Sequence, residues 1–215
     1  MQSSALDLIA NHFLMLRAKD ITHTSMTSDS QFLDSYHTLS DEELMLKAAD
    51  KDKNAFSLLV MRNQEKLVNF FRKMGDYSHA EDLAQETFVR LYNYRDKYQP
   101  KAKFKTFLFL MARYRWMDHC RHLDRKKKAS DILEQEHEMI YPTTGDDLQD
   151  IHYRAVEALG RLSNEMREVV VLNIYQGLKY AEIAEVLEVP LGTIKSRMFK
   201  AMAKLQELLK HEHRK

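Results

Sequence analysis

The chain has 215 residues, a formal net charge of +1 and 44% hydrophobic residues, which excludes wholesale disorder and leaves room for one ordinary domain or two small ones. With 5 Gly and 3 Pro it is too poor in turn formers for a β-sandwich or barrel, so long helices with few connections are predicted. One cysteine, Cys120, cannot close an internal disulfide, and no stretch approaches the roughly 20 apolar residues that span a bilayer; a cytoplasmic protein without membrane insertion is expected.

In chain order, residues 1–39 read as an N-terminal extension, partly disordered. Its apolar run from Leu6 to Leu16 is broken by Asp7, Asn11 and His12, and reads as a helix rather than a signal peptide. The first strong helix signal begins at Ser40. Ser40 and Glu43 have the spacing of a capping box, and Leu39 and Leu44 that of a hydrophobic staple. Helical periodicity continues through Leu44, Ala48, Phe56, Leu59, Val60, Leu67, Phe70 and Phe71, up to a turn at Gly75-Asp76. A second helix is predicted from about Ser78 to Tyr94, ending before Gln99-Pro100 because the residue ahead of a proline avoids helical backbone. A third runs from about Lys105 to Lys126. Residues 129–150 lack apolar periodicity and carry Tyr141-Pro142-Thr143-Thr144-Gly145, the composition of a flexible linker. From Ile151 shorter helices follow, separated near Ser163, at Gln176-Gly177 and at Val189-Pro190. The expected fold is all-α, with two small helical domains at 40–128 and 151–215.

The near-neutral charge conceals segregation. Arg113, Arg115, Arg121, Arg125, Lys126, Lys127 and Lys128 crowd one stretch, and Lys195, Arg197, Lys200 and Lys204 another. Such patches suit phosphate contact, although solvated helix faces look the same. Near the C-terminus a short helix with Tyr180, Ile183, Ala184 and Leu187 on one face precedes a helix with Ile194, Met198, Ala201, Leu205 and Leu208 along one side. This is helix-turn-helix spacing, with Pro190 placed in the first turn of the second helix. The opposite side carries Ser196, Phe199, Lys200 and Ala203. Phe199 would touch a thymine methyl there, or else pack within its own domain.

In the N-terminal half, Phe104, Phe107, Phe109, Tyr114 and Trp116 alternate with Lys103, Lys105, Arg113, Arg115 and Arg121. Planar rings among cations suit unpaired bases and their phosphates. Phe107 and Leu108 are expected in the core, and Tyr114 and Trp116 at the surface. Asp82, Gln85 and Glu86 make a polar patch on the second helix, either a docking surface or a solvated face. His119-Cys120-Arg121-His122 is a weak metal signal without a second ligand pair, and no metal or cofactor is expected. With so few glycines there is no phosphate-cradling loop, nor a nucleophile–base set, and no catalysis is expected.

Both halves resemble the extracytoplasmic-function (ECF) subfamily of sigma-70 family RNA polymerase sigma factors. The resemblance rests on Asp82-Leu-Ala-Gln-Glu-Thr-Phe88, on Lys103-Phe-Lys-Thr-Phe-Leu-Phe109 followed by Ala112-Arg113 and Asp118, and on Glu182-Ile-Ala184 with Gly192-Thr-Ile-Lys-Ser-Arg197. It covers about residues 41–210 in the family's order. It implies that 40–128 is sigma region 2 and 151–215 sigma region 4. Asp82, Gln85 and Glu86 would meet the clamp helices of the polymerase's largest subunit, and the C-terminal domain the flap of the second-largest. Tyr98, Lys101, Lys103 and Phe104, with Arg113, Tyr114, Arg115, Trp116, Asp118 and Arg121, would handle the −10 element. Thr193, Lys195, Ser196, Arg197, Phe199 and Lys200 would read the −35 element. An anti-sigma factor is the expected regulator. Phe107 stands where the family usually has Trp, Tyr114 where Asn is common, Pro100 where Gly is usual, and Glu188 at the usual turn glycine. Two rivals remain: a free-standing helix-turn-helix regulator, and a sigma-like protein-binding decoy.

Overall fold

The computed structural model describes Tyr36, residues 38–129 and residues 147–212. The leader before Tyr36 and residues 130–146 of the expected linker lie outside these. The described residues contain eight α-helices and no strand. They are α1 (Asp41–Ala49), α2 (Lys53–Met74), α3 (Ala80–Tyr94), α4 (Phe104–Ala129), α5 (Asp147–Gly160), α6 (Asn164–Val170), α7 (Tyr180–Leu187) and α8 (Leu191–Glu212). A 3₁₀ turn, Arg95–Lys97, follows α3, and a π-helical turn, Val171–Tyr175, continues α6. No described helix is long and apolar enough to cross a membrane.

Two compact units are present. Among the described residues, one consists of those up to Val68 with Glu81–Arg115, the other of Asn69–Ala80 with those from Trp116 onward. The division between these units runs through α2 and α4.

In the first unit, α1 starts where the sequence says it should. The Ser40 hydroxyl accepts the Glu43 amide, and the Glu43 carboxylate accepts the Ser40 amide at 2.8 Å. This pair holds the Glu43 carboxyl below its ordinary range, the backbone bond first and the Ser40 hydroxyl second. The two preceding acids reach other helices. Asp41 accepts hydrogen bonds from Arg62 at 3.2 Å and Asn63 at 2.9 Å, both on α2. Glu42 accepts the backbone N–H of Phe104, the first residue of α4, at 2.6 Å. Lys51, at φ 69, closes the break between α1 and α2 that the continuous apolar pattern concealed. The core is built from Leu44, Met45, Phe56, Leu59, Leu67, Phe88, Leu91, Phe104, Leu108 and Phe109, all almost fully buried. Phe56 meets Tyr92 edge to face at 5.0 Å.

In the second unit, Gly75 at φ +110 lets the chain leave α2, and the Asp76 N–H returns to the Phe71 carbonyl at 3.3 Å. Phe71 packs against Trp116 of α4, their centroids 6.5 Å apart. Farther along, Ser163 caps α6, its hydroxyl accepting the Met166 amide at 3.4 Å. Arg167 donates to the carbonyls of Leu159 at 2.9 Å, Gly160 at 2.5 Å and Leu162 at 3.3 Å, which ties the end of α5 and the turn after it to α6. Helix α8 packs on α5, α6 and α7 through Ile194, Met198 and Ala201.

Glu42 offers a clean test, because it caps a helix that begins 62 residues later. Glu42→Ala is expected to lower stability by about 1–2 kcal/mol, the usual cost of removing a cap. Urea unfolding of the full chain would measure it, with a change below about 0.3 kcal/mol denying the cap any importance.

Candidate nucleic-acid interface

Helix α7 begins with the Lys179 N–H on the Glu182 carboxylate at 2.7 Å, a local device carried by the Glu182-Ile183-Ala184 motif. It buries Ile183, Val186 and Leu187, while Tyr180 and Ala184 are only half-buried. It ends at Glu188 in left-handed backbone, φ 54 and ψ 42. Glu188 thus does the work of a turn glycine while carrying a Cβ, at a cost of about 1 kcal/mol. Pro190 stands just ahead of α8 rather than in its first turn. Its carbonyl accepts the Thr193 amide at 2.9 Å and the Ile194 amide at 3.3 Å.

On α8 the two sides divide as the periodicity predicted. Ile194, Met198 and Ala201 are buried, Leu205 and Leu208 half-buried, and Lys195, Ser196, Phe199, Lys200 and Ala203 exposed. Phe199 is 78% exposed, which removes the reading in which it packs within its own domain. Thr193 and Arg197 lie at the border, half-buried. Arg197 also faces the start of α6. The Glu165 carboxyl there is held low by a backbone hydrogen bond first, then by Ser163, with a smaller pull from the Arg197 charge. Gly192 has nothing within 4 Å of where a Cβ would stand, so no packing demands glycine there.

On α3, Asp82 and Glu86 are exposed and Gln85 is half-buried, beside the buried Leu83, Ala84, Thr87 and Phe88. Glu86 forms an ion pair with Arg115 of α4, so two of the predicted site residues engage each other. Arg115 and Arg113 are half-buried.

The aromatic set needs correction. Tyr98 is 7% exposed, Phe104 0% and Trp116 8%, so these three are core rings and not a stacking platform. Tyr98 packs against Phe104 at 6.3 Å and Phe107 at 5.3 Å. Phe107, expected in the core, is instead half-buried, and Tyr94, which the sequence does not single out, lies 5.5 Å from it and is 40% exposed. Tyr114 is exposed as expected. At 100° per residue, Lys103, Phe107, Tyr114, Asp118 and Arg121 share one stripe of the sequence that forms α4, and Phe104, Leu108, Ala112, Trp116 and His119 another. The first stripe is the open one. Lys101 and Lys103 are exposed ahead of α4, and Arg121 is exposed and ion-paired with Asp118 at 3.2 Å.

What this defines is an all-helical protein that carries a helix-turn-helix with an open polar face, and separately a helix whose outward stripe mixes rings and cations. Family models agree with both halves: "Sigma-70 region 2" matches residues 59–126 and "Sigma-70, region 4" residues 153–205. Among curated relatives, the RNA polymerase sigma-H factor of Pseudomonas aeruginosa is 29% identical, the match covering 79% of this chain and 93% of that one. The ECF RNA polymerase sigma-E factor of Escherichia coli is 28% identical over 76% of this chain and 91% of that protein. Among solved structures, the sigma factor RpoE in complex with the anti-sigma factor NepR from Bartonella quintana is 30% identical, with a TM-score of 0.63 over 72% of this chain and 96% of that one. CnrH in complex with the cytosolic domain of CnrY gives 26% identity and a TM-score of 0.62 over 80% and 97%. The chain belongs to the ECF subfamily of the sigma-70 family, and its function is that of a transcription-initiation sigma factor.

Two measurements probe this surface chemistry. At Glu188, Gly should match or exceed the natural residue in stability, whereas the β-branched Glu188→Val should cost about 1–2 kcal/mol by thermal or urea unfolding; equal stabilities would contradict the left-handed turn. The Tyr98 hydroxyl finds no hydrogen-bond partner within the described residues and is pushed up to about 12, by burial first and then by the charges of Glu42 and Asp41. The folded chain therefore keeps a proton that the unfolded chain releases near pH 10. Stability from this group is complete below pH 10 and declines as pH rises toward 12, by about 2 kcal/mol. Tyr98→Phe should lack that alkaline decline and change stability at pH 7 by less than about 1 kcal/mol.

Proposed function

We propose that this sigma factor binds core RNA polymerase through the face of Asp82, Gln85 and Glu86 and reads the −35 element with α8. Helix α4 and the segment before it then favour the melted −10 strand. The observation that carries this is the outward face of α8. A phenylalanine 78% exposed between Ser196 and Lys200, with Met202 47% exposed one turn on, leaves an apolar patch among cations that a partner can cover. Major-groove DNA supplies that cover, with a thymine methyl for Phe199 and phosphates or guanine edges for Lys195 and Lys200.

The −10 assignment is narrower than the sequence suggested. With Tyr98, Phe104 and Trp116 buried, the residues that remain for unpaired bases and backbone are Lys101, Lys103, Arg113, Tyr114, Arg115, Asp118 and Arg121, joined by Phe107 with Tyr94 beside it. Opening is driven by holding the unpaired form better than the paired one. No catalysis of its own is required. The C-terminal domain is assigned to the polymerase flap. The solved relative bound to the anti-sigma factor NepR supports an anti-sigma partner for this chain as well. These roles place the protein in the cytoplasm.

The test is transcription from fragmented genomic DNA of the source organism, with core polymerase supplied with and without the protein. New 5′ ends sharing paired upstream motifs are expected, and core binding without new starts would favour a decoy. Within that assay, combined Lys195→Ala and Lys200→Ala should weaken promoter binding about tenfold or more. It should also reduce the slope of log affinity against log salt by about 2, roughly one unit for each phosphate that is no longer neutralised. Asp82→Arg should instead reduce binding to core polymerase and leave the chain's fold intact.

A further inference from the structure

Outside these surfaces, three potential metal ligands converge where the sequence offered only a weak signal. Among the described residues, Asp76, His79 and His119 bring one ligand atom each to within 4.8 Å of one another. Cys120 and His122, the other members of the His-Cys-Arg-His run, are not in this group. Asp76 lies in the turn after α2, His79 immediately ahead of α3, and His119 on α4.

The convergence has a particular form. Asp76 Oδ2 lies 2.6 Å from His119 Nε2, and His79 Nδ1 sits 3.0 Å from both Asp76 oxygens, so the two imidazoles meet at Oδ2 of one carboxylate. Asp76 Oδ1 accepts the His79 backbone N–H at 2.9 Å, which fixes the carboxylate in place. The Asp76 and His119 side chains are 12% and 9% exposed, and that of His79 is 49% exposed. The site therefore has a buried floor of two ligands and one ligand at its mouth, where solvent reaches His79. The alternative is a plain hydrogen-bonded cluster in which a proton fills the same space.

We propose that Asp76, His79 and His119 bind a divalent transition-metal cation of the zinc type. Two imidazole nitrogens and one carboxylate oxygen, with a fourth position left to water, are a donor set that zinc accepts at about 2.0–2.2 Å. Tetrahedral bonds of that length set ligand atoms about 3.3 Å apart. The carboxylate oxygen would separate by about 0.7 Å from the His119 nitrogen and by about 0.3 Å from that of His79, within the reach of small side-chain rotations. Asp76 binds through Oδ2 while its Oδ1 keeps the His79 amide, the kind of outer bond that orients a ligand. Bound there, the ion ties the turn leading into α3 to α4.

The tryptophan count makes the site readable. Trp116 is the chain's one Trp, and its ring lies 5.9 Å from that of His119. Titrating the full-length, tag-free chain with Co²⁺ should quench Trp116 emission saturably at one equivalent, and Zn²⁺ should compete with Co²⁺ for the same equivalent. Zn²⁺ alone should raise the thermal midpoint. His79→Gln removes the exposed ligand without disturbing the buried ones, and should weaken binding at least tenfold while the unfolding midpoint without metal stays near that of the parent. Asp76→Asn should weaken it as well. The chain has 10 histidines, so binding to others is the result to guard against. Equal Zn²⁺ affinity for parent and His79→Gln, or Co²⁺ binding that leaves Trp116 emission unchanged, would overturn the proposal. So would the absence of binding at one equivalent.

Discussion

The bond from the Phe104 amide to the Glu42 carboxylate, 2.6 Å long, settles where α4 begins. A helix starts with four N–H groups that nothing inside it can satisfy, and an anionic acceptor at that end gains from the helix dipole as well. Here the acceptor comes from the first turn of α1. Its neighbours bind elsewhere: Asp41 holds Arg62 and Asn63 of α2, and Glu43 closes its own helix on Ser40. Three consecutive acids thus fix three helix positions. Register in the first unit follows from them: with α4 pinned at Phe104, the 3.6-residue period decides which side chains turn inward and which remain available.

That constraint explains the aromatic residues. Starting at Phe104, steps of four and three carry Leu108, Ala112, Trp116 and His119 inward, and all of them are buried. The same period carries Phe107, Tyr114, Asp118 and Arg121 outward. The pattern was therefore present in the sequence. Assigning Trp116 to the surface gave ring chemistry more weight than periodicity. Tyr98 was harder, because it lies outside any helix and its burial depends on where α4 and the 3₁₀ turn meet. The long-range polar bonds were not legible at all. Glu42 with Phe104, Arg62 with Asp41 and His119 with Asp76 are separated by 62, 21 and 43 residues, and no local rule pairs them.

The helix-turn-helix was legible almost entirely, and for a physical reason. Its determinants are local: the Glu182 carboxylate three residues from Lys179, the Pro190 carbonyl at the start of α8, and an apolar stripe at Ile194, Met198 and Ala201. Even the departure at Glu188 left the geometry intact, since a left-handed residue costs about 1 kcal/mol where the packing of Ile183, Val186 and Leu187 supplies more. What the sequence left undecided was Phe199, because a large ring on a polar face is equally consistent with an internal contact. Its exposure turns on what surrounds it in space, which spacing alone does not contain.

Glu86 and Arg115 join the two surfaces proposed for polymerase and for the −10 strand. Glu86 is half exposed, and such a pair contributes about 0–1 kcal/mol, since water solvates the separated charges nearly as well. It orients both side chains at almost no cost to their release. If the polymerase takes Glu86, Arg115 loses its counter-charge and becomes a better partner for phosphate; if DNA takes Arg115 first, Glu86 is released to the polymerase. By linkage each event would favour the other, by no more than the small energy of the pair. A stronger, buried bridge would hold the two helices more firmly and would oppose both partners. The weakness of this pair is therefore what suits it to a position between the two proposed binding surfaces.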